Sequence, residues 1–271
     1  NSFYLLDQPS FLQAEVELSG KIMASTAGDG QHFIATQIME RLQKVQRYSF
    51  QRPFIEVYRQ DKNSDLWRRS GGNFQTSPLT VVEQKNIIAR GVPYPRFDKR
   101  PVVRLVSSGK IQPKTGKIKL WRDRSLVKIS DSLKGYPLNE LDVIISDELQ
   151  RLKSEADELI NSTWQADSNL ALETNTFHIV DFGKNLTGFL GGRISCSQPS
   201  RLVFTFDELL INGDVDFKRL GCVNAVSYEL EPGSYDLESF EPYTARYLKV
   251  MCLNGDAQIE NIYLREMAYP D

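Results

Sequence analysis

The sequence predicts a mainly β protein: an antiparallel β-sandwich or jelly roll carrying one long amphipathic helix, preceded by a second β-rich unit. Three observations carry this. From Phe177 to Leu264, short runs of alternating apolar residues are separated by turns bearing glycine, proline and asparagine, the pattern of half-buried strands. Leu141, Ile145, Leu149, Leu152, Ala156, Leu159 and Ile160 recur at three- and four-residue spacing, the pattern of an apolar helix stripe. Upstream, strand-like runs end at Ala89-Arg90-Gly91-Val92-Pro93-Tyr94-Pro95, a linker with two prolines.

That linker divides the chain into residues 1–90, an N-terminal β-rich unit that the abrupt start leaves open to being incomplete, and residues 91–271, the sandwich with its helical insertion near 139–161. In the first part, Leu12, Ala14, Val16 and Leu18 share one strand face, and Ser19-Gly20 ends that strand. Phe33 to Ile38 and Pro53 to Tyr58 are the next strands; Met39 to Val45 reads as a short helix or a loop. Asp61 to Asp65 and Ser70-Gly71-Gly72-Asn73 turn the chain.

In the second part, Val102–Val106 and Ile118–Trp121 are expected to pair across a turn at Pro113–Gly116. Asn139 is the expected helix N-cap, with Glu140 and Asp142 in the first turn. Asp147–Arg151 and Lys153–Asp157 are opposite charges four apart on the polar helix face. Beyond Leu172 the strands resume. Leu202, Phe204 and Phe206 share a face, as do Val226, Tyr228 and Leu230, then Leu248, Val250 and Cys252. In the stretch FHIVDFGKNLTGFL, Gly183 and Gly188 punctuate strand, tight corner and strand. Asp181 and Asn185 are read as structural residues that hold that corner by side-chain to backbone hydrogen bonds.

At 271 residues, with 41% hydrophobic and 25% charged residues, the chain has an ordinary globular balance. No run approaches the roughly 18 apolar residues of a membrane helix. The chain opens on Asn1 without Met or a visible signal peptide, which suggests a processed or excised fragment. Cys196, Cys222 and Cys252 are odd in number and lack metal-ligand spacing, so they read as small core residues. Asn161 and Asn185 each head a glycosylation-type triplet, a short pattern that recurs by chance. Residues 90–128 carry a local net charge of +10 within a chain whose net is −2.

No catalytic residue, metal site or cofactor site is assigned. His32 and His178 cannot supply a multi-histidine metal site, and phosphate-loop, dinucleotide and nucleophile-elbow motifs are missing. Asp207 and Glu208 are adjacent on a strand and are expected to point to opposite faces. Carbohydrate binding is the ligand chemistry left open: flat aromatic area stacks on sugar faces, and Trp121, Trp67 and Trp164 are the candidates. The basic stretch lacks the interleaved aromatics of a nucleic-acid platform, so no nucleic-acid partner is assigned.

The sequence also carries a family resemblance. Asp181-Phe182-Gly183-Lys184-Asn185-Leu186-Thr187-Gly188-Phe189, Phe206-Asp207-Glu208, Glu238-Ser239-Phe240-Glu241-Pro242 and Ala245-Arg246-Tyr247-Leu248 resemble the β-sandwich region of bacterial α-L-rhamnosidases and related glycoside hydrolases. The resemblance implies a concanavalin-like or galactose-binding-like sandwich that is non-catalytic. Its partner would be a downstream α/α-toroid catalytic domain of the same polypeptide, expected to begin about where the chain stops. A rhamnose-containing glycan is the implied ligand, and a periplasmic or secreted location would follow. The rival readings are a stand-alone carbohydrate-binding module and a polyanion-binding domain acting through residues 90–128.

Overall fold

The computed structural model describes residues 11–27, 32–64, 76–128, 135–165 and 168–269. Trp67 and the Ser70–Asn73 turn lie outside the described residues. In chain order the strands are β1 (Glu15–Leu18), β2 (Lys21–Ser25), β3 (Ala35–Thr36), β4 (Glu56–Gln60), β5 (Thr76–Ser77), β6 (Lys99–Pro101) and β7 (Arg104–Pro113). Helices α1 (Arg124–Val127) and α2 (Ile145–Gln150) follow, then β8 (Leu152–Thr163), β9 (Asn169–Glu173), β10 (Thr176–Cys196), β11 (Ser200–Asp207) and β12 (Leu210–Ile211). The last are β13 (Asp214–Val215), β14 (Ala225–Leu230), β15 (Gly233–Glu238), β16 (Tyr243–Asn254) and β17 (Asp256–Glu266).

Two compact units share these elements. One comprises Leu5–Met39 and Asn63–Pro93. Within it, β1 and β2 form an antiparallel hairpin, and Ser19 and Gly20 take positive φ of 52° and 75° at the two-residue turn. β3 pairs β5. The other unit holds Glu40–Lys62 and Tyr94–Asp271, so a cut at residue 90 would separate β4 from the sheet it belongs to.

That sheet has eleven strands, and its main path runs β4-β14-β11-β16-β10-β17-β6. All pairs on it are antiparallel except β14 with β4. Strand β10 organises the rest. Its first part, Thr176–Asp181, lies between β16 and β7; its last part, Gly191–Cys196, pairs β15 on one side while β17 takes the other. The pairing with β16 breaks register between Asp181 and Leu186, so the chain changes neighbours at the expected corner.

The central strands are buried on both faces. Leu202, Phe204, Phe206, Leu248 and Val250 fill one side; Val203, Phe177, Ile179 and Met251 fill the other. The same core takes in Val45, Ile145, Leu149 and Val215 from segments outside the long strands. This explains why Leu248-Lys249-Val250-Met251-Cys252 is nearly continuous in apolar residues rather than cleanly alternating.

The expected long helix over 139–161 does not form. A single 3₁₀ turn spans Leu138–Glu140, α2 spans Ile145–Gln150, and residues 152–163 are strand β8. Asn139 lies inside the 3₁₀ turn rather than capping it, and the α2 N-cap Ile144 makes no side-chain cap bond. The reason is tertiary. Strand β7 has one side on β10, and β8 covers its other side over Arg104–Pro113, satisfying a row of backbone groups that a helix would leave open. Accordingly, Asp147 pairs with Arg122 and Lys153 with Glu155, not with the residues four positions on. The expected strand Ile118–Trp121 is also irregular, because β8 occupies the place beside β7 that it would have taken.

Candidate functional site

The segment after Asp181 comes first, because β10 shifts register there. Asp181 is buried at 2% exposure. Its Oδ1 accepts the Gly183 N–H at 2.6 Å, and Gly183 has φ +83°, a conformation that glycine adopts without strain. Arg246 closes on the same carboxyl group with Nε to Oδ1 at 2.9 Å and Nη2 to Oδ2 at 3.0 Å. Burial alone would raise the Asp181 pKa, but the hydrogen bonds from Arg246 and Gly183 and the nearby guanidinium charges hold it below the usual value. Gly188 stands where β10 passes β17 so closely that a Cβ would lie 2.1 Å from the Arg265 carbonyl oxygen.

Asn185 bonds the Glu208 carboxylate at 2.7 Å. The sequence places Asp207 and Glu208 on opposite faces, yet both reach Arg219: Asp207 receives its Nε at 2.6 Å and Glu208 its Nη2 at 2.5 Å. Glu208 lies just beyond the end of β11, so strand alternation no longer governs it. Arg219, and then Asn185, hold the Glu208 carboxyl below the ordinary range.

A second buried carboxyl group anchors the Phe240-Glu241-Pro242 turn. Glu56 on β4 is fully buried. It accepts from the Phe240 N–H at 2.7 Å, the Glu241 N–H at 2.9 Å, Tyr243 Oη at 2.8 Å and Tyr58 Oη at 2.5 Å. Burial and then Glu56 push the Tyr58 and Tyr243 phenols up. Sequence reasoning did not single out Glu56. Its signal was an acid between Ile55 and Val57 inside an otherwise apolar strand.

Lys249 was missed in the same way. It sits on β16 with 4% exposure, and its ammonium donates to both oxygens of Asp214, at 2.6 and 2.9 Å, and to Ser154 Oγ. It also lies 4.5 Å from the Phe177 ring centroid. Burial lowers its pKa, against the opposing pull of Asp214. The pair lines a cleft of about 370 Å³ whose apolar wall includes Leu149, Ile211, Phe217 and Met251. Asp216 lines the same cleft, with a carboxylate oxygen 2.9 Å from Lys218 Nζ. Two acids therefore meet one cleft, each tied to a lysine.

Trp121 and Trp164 are both half-buried and packed against the core. The Trp121 backbone exchanges hydrogen bonds with the Gln150 side chain, its N–H donating to Oε1 at 2.6 Å and its carbonyl accepting from Nε2 at 2.8 Å. The structure brings neither tryptophan into the cleft at Lys249. His178 Nε2 lies 2.9 Å from the Ala171 carbonyl oxygen, and burial lowers its pKa. The three cysteines are free.

No family model matches the sequence, and no curated protein matches it. Among solved structures, the chain is similar to part of a GH78 rhamnosidase of Bacillus sp. GL1, at 19% identity over 44% of this chain and 13% of that one, with TM-score 0.36. A rhamnosidase from Klebsiella oxytoca with rhamnose bound is similar at 16% identity over 64% of this chain and 30% of that one, TM-score 0.39. An α-L-rhamnosidase from Aspergillus terreus is similar at 16% identity over 82% of this chain and 19% of that one, TM-score 0.42. The matched part is less than a third of the length of each of these rhamnosidases.

Proposed function

We propose that this chain is the non-catalytic β-domain portion of an α-L-rhamnosidase-like glycoside hydrolase, a two-layer jelly-roll framework for a separate α/α-toroid catalytic domain. One observation carries the reading. The residues of the sequence resemblance, scattered over more than sixty positions, meet in space: Asp181 of the Asp-Phe-Gly corner is gripped by Arg246 of the Ala-Arg-Tyr-Leu strand. The two motifs sit on paired strands, and a bidentate ion pair joins them where the central strand shifts register, which supports this reading. The Phe240-Glu241-Pro242 turn, held by the buried Glu56, supports the same reading. Both motifs serve to fix backbone. In this reading Asp181, Gly183, Asn185 and Gly188 are structural, and the catalytic carboxyl pair that glycoside hydrolysis uses belongs to the partner domain.

The test is hydrolysis of an aryl α-L-rhamnoside by this chain alone and by the polypeptide that continues into a toroid. Turnover by the chain alone overturns the proposal; turnover only by the longer polypeptide supports it. A stand-alone carbohydrate-binding module is the second reading, favoured by the cleft at Lys249, which combines an apolar wall with a charged rim. Specific glycan-array binding that is lost in Phe217→Ala, on the apolar wall of that cleft, would favour that module over a framework.

A further inference from the structure

One outer face of the sheet carries an aromatic and charged surface that the functions above leave unused. On β17, Ile262 and Leu264 are buried in the core, while Tyr263 and Arg265 alternate with them and reach the surface. Register sets Tyr263 beside Gly191 of β10, Arg265 beside Phe189 of β10 and Lys99 of β6, and Glu238 of β15 beside Gly191. Phe97 stands two residues before Lys99 and is 44% exposed. These side chains therefore share one face. Gly191 lets the surface lie flat: a Cβ there would meet the Tyr263 ring at 2.5 Å, so the ring rests against the backbone. The Tyr263 hydroxyl crosses β10 to donate to Glu238 Oε2 at 3.0 Å. Burial and then Glu238 raise the Tyr263 pKa, so the phenol stays a donor. Arg265 donates Nε to the same oxygen at 2.8 Å and Nη2 to Oε1 at 2.6 Å, and its guanidinium lies 4.5 Å from the Phe189 ring centroid. A carboxylate has about four acceptor sites, so these three bonds leave one on Oε1. Lys99 Nζ lies over the Tyr263 ring, 4.1 Å from its centroid, on an exposed side chain.

We propose that this face binds one pyranose ring of a neutral saccharide: the sugar's C–H face stacks on Tyr263 in place of the Lys99 ammonium, and a sugar hydroxyl donates to Glu238 Oε1. A sugar ring has a flat apolar face and polar edges, which matches an aromatic ring bordered by a carboxylate with one open acceptor site. Moving Lys99 aside costs little, because an exposed ammonium returns to water and an exposed cation–π contact is weak. The charges favour a neutral ligand. Arg265 neutralises Glu238, and Arg193 lies 3.9 Å from Asp236 on the same face, so the cations on β10 and β17 are already matched. A protein partner fits less well. Of the three rings only Phe97 is exposed, and Phe189 and Tyr263 are half-buried, which is too little apolar area for the core of a stable protein interface. The site rests on neither reading of the preceding section, since a framework domain and an independent module can both carry it.

The test titrates the full chain with methyl α-L-rhamnoside, methyl α-L-fucoside and methyl β-D-galactoside, read by NMR chemical shifts and calorimetry. Binding of at least one glycoside is expected, weakened about tenfold or more in Tyr263→Ala. Tyr263→Phe keeps the stacking ring and should stay within about threefold of the parent. Lys99→Ala uncovers the ring and should tighten binding about two- to fivefold, the equivalent of one exposed cation–π contact. Lys99 is a surface side chain, so this variant decides the matter even where Tyr263→Ala does not fold. No glycoside bound by the parent, binding unchanged in Tyr263→Ala, or binding unchanged or weakened in Lys99→Ala overturns the proposal. Hydrolysis is not the readout, so such a failure leaves the framework reading to its own test.

Discussion

The two compact units answer the same problem, ordering strands in water, in opposite ways. In the unit of Glu40–Lys62 and Tyr94–Asp271, long strands bury residues on both faces, and buried carboxyl groups tie the turns to the sheet. In the unit of Leu5–Met39 and Asn63–Pro93, no described residue is buried. Leu12, Val16, Leu18, Ile22 and Met23 are all more than half exposed on or beside a two-stranded hairpin. An isolated hairpin is marginal in water, since its backbone bonds alone do not offset the entropy of ordering it. The difference teaches that strand propensity and good turn chemistry place a hairpin, whereas a second layer of apolar contacts is what makes a strand stable.

If stability resides in the anchored unit, its anchors should dominate every mutational measurement. The largest effect is expected for Glu56→Leu. It strands two backbone N–H groups and two tyrosine hydroxyls in the core, at about 1–3 kcal/mol for each group left without a partner. A loss of about 4 kcal/mol or more in urea unfolding is expected, with Glu56→Gln milder because one oxygen remains. A shift below about 1 kcal/mol for Glu56→Leu would show that the Phe240–Tyr243 turn does not depend on β4.

Next comes an asymmetric pair. Asp214→Asn leaves the Lys249 ammonium, whose side chain is 5% exposed, without its counter-charge, a loss of about 3 kcal/mol. Lys249→Met removes the buried charge instead. The Asp214 side chain is 41% exposed and can turn to water, so a change under about 1 kcal/mol is expected. Equal effects from the two substitutions would mean that burial of the lysine is not what sets the cost.

These anchors also mark what the sequence could and could not disclose. The expected corner is a bulge inside one continuous strand: the Asp181 bond to the Gly183 N–H follows from a local signal, whereas Gly188 lies in regular strand pairing and Asn185 reaches the Glu208 side chain instead of the backbone. The C-terminal strands were legible from alternation. The helix near 139–161 was misread because helical spacing in Leu141 to Ile160 is a property of the segment alone, whereas the free edge of β7 that captures β8 is created roughly forty to sixty residues earlier. Glu56 and Lys249 were not legible as anchors. Each is a single charged residue in an apolar run, and only the fold shows that both faces of that run are covered.

The Asp181 corner should give a smaller effect, and one that depends on pH. Its pKa in the folded chain lies below the unfolded value of about 3.9. The carboxylate therefore contributes stability that is fully present above about pH 4 and is lost as pH falls through the folded value. Asp181→Asn is expected to cost about 1–3 kcal/mol at pH 7, since the bidentate bond from Arg246 is broken. It should also flatten the acid limb of the stability curve. An unchanged acid limb would assign that limb to other carboxylates, Glu208 first among them.

The smallest effects should come from the hairpin unit, and they decide whether the comparison holds. Val16→Ser and Ile22→Ser replace side chains that are 52% and 54% exposed, so little apolar area returns to water when they are lost. Each is expected to move the urea midpoint of the anchored unit by no more than the equivalent of about 0.5 kcal/mol. Exposed apolar strands are also templates for association, so the double variant should reduce concentration-dependent scattering even as stability stays put. A destabilisation of about 2 kcal/mol or more would mean that these side chains are covered in solution, and that the hairpin is held by packing after all.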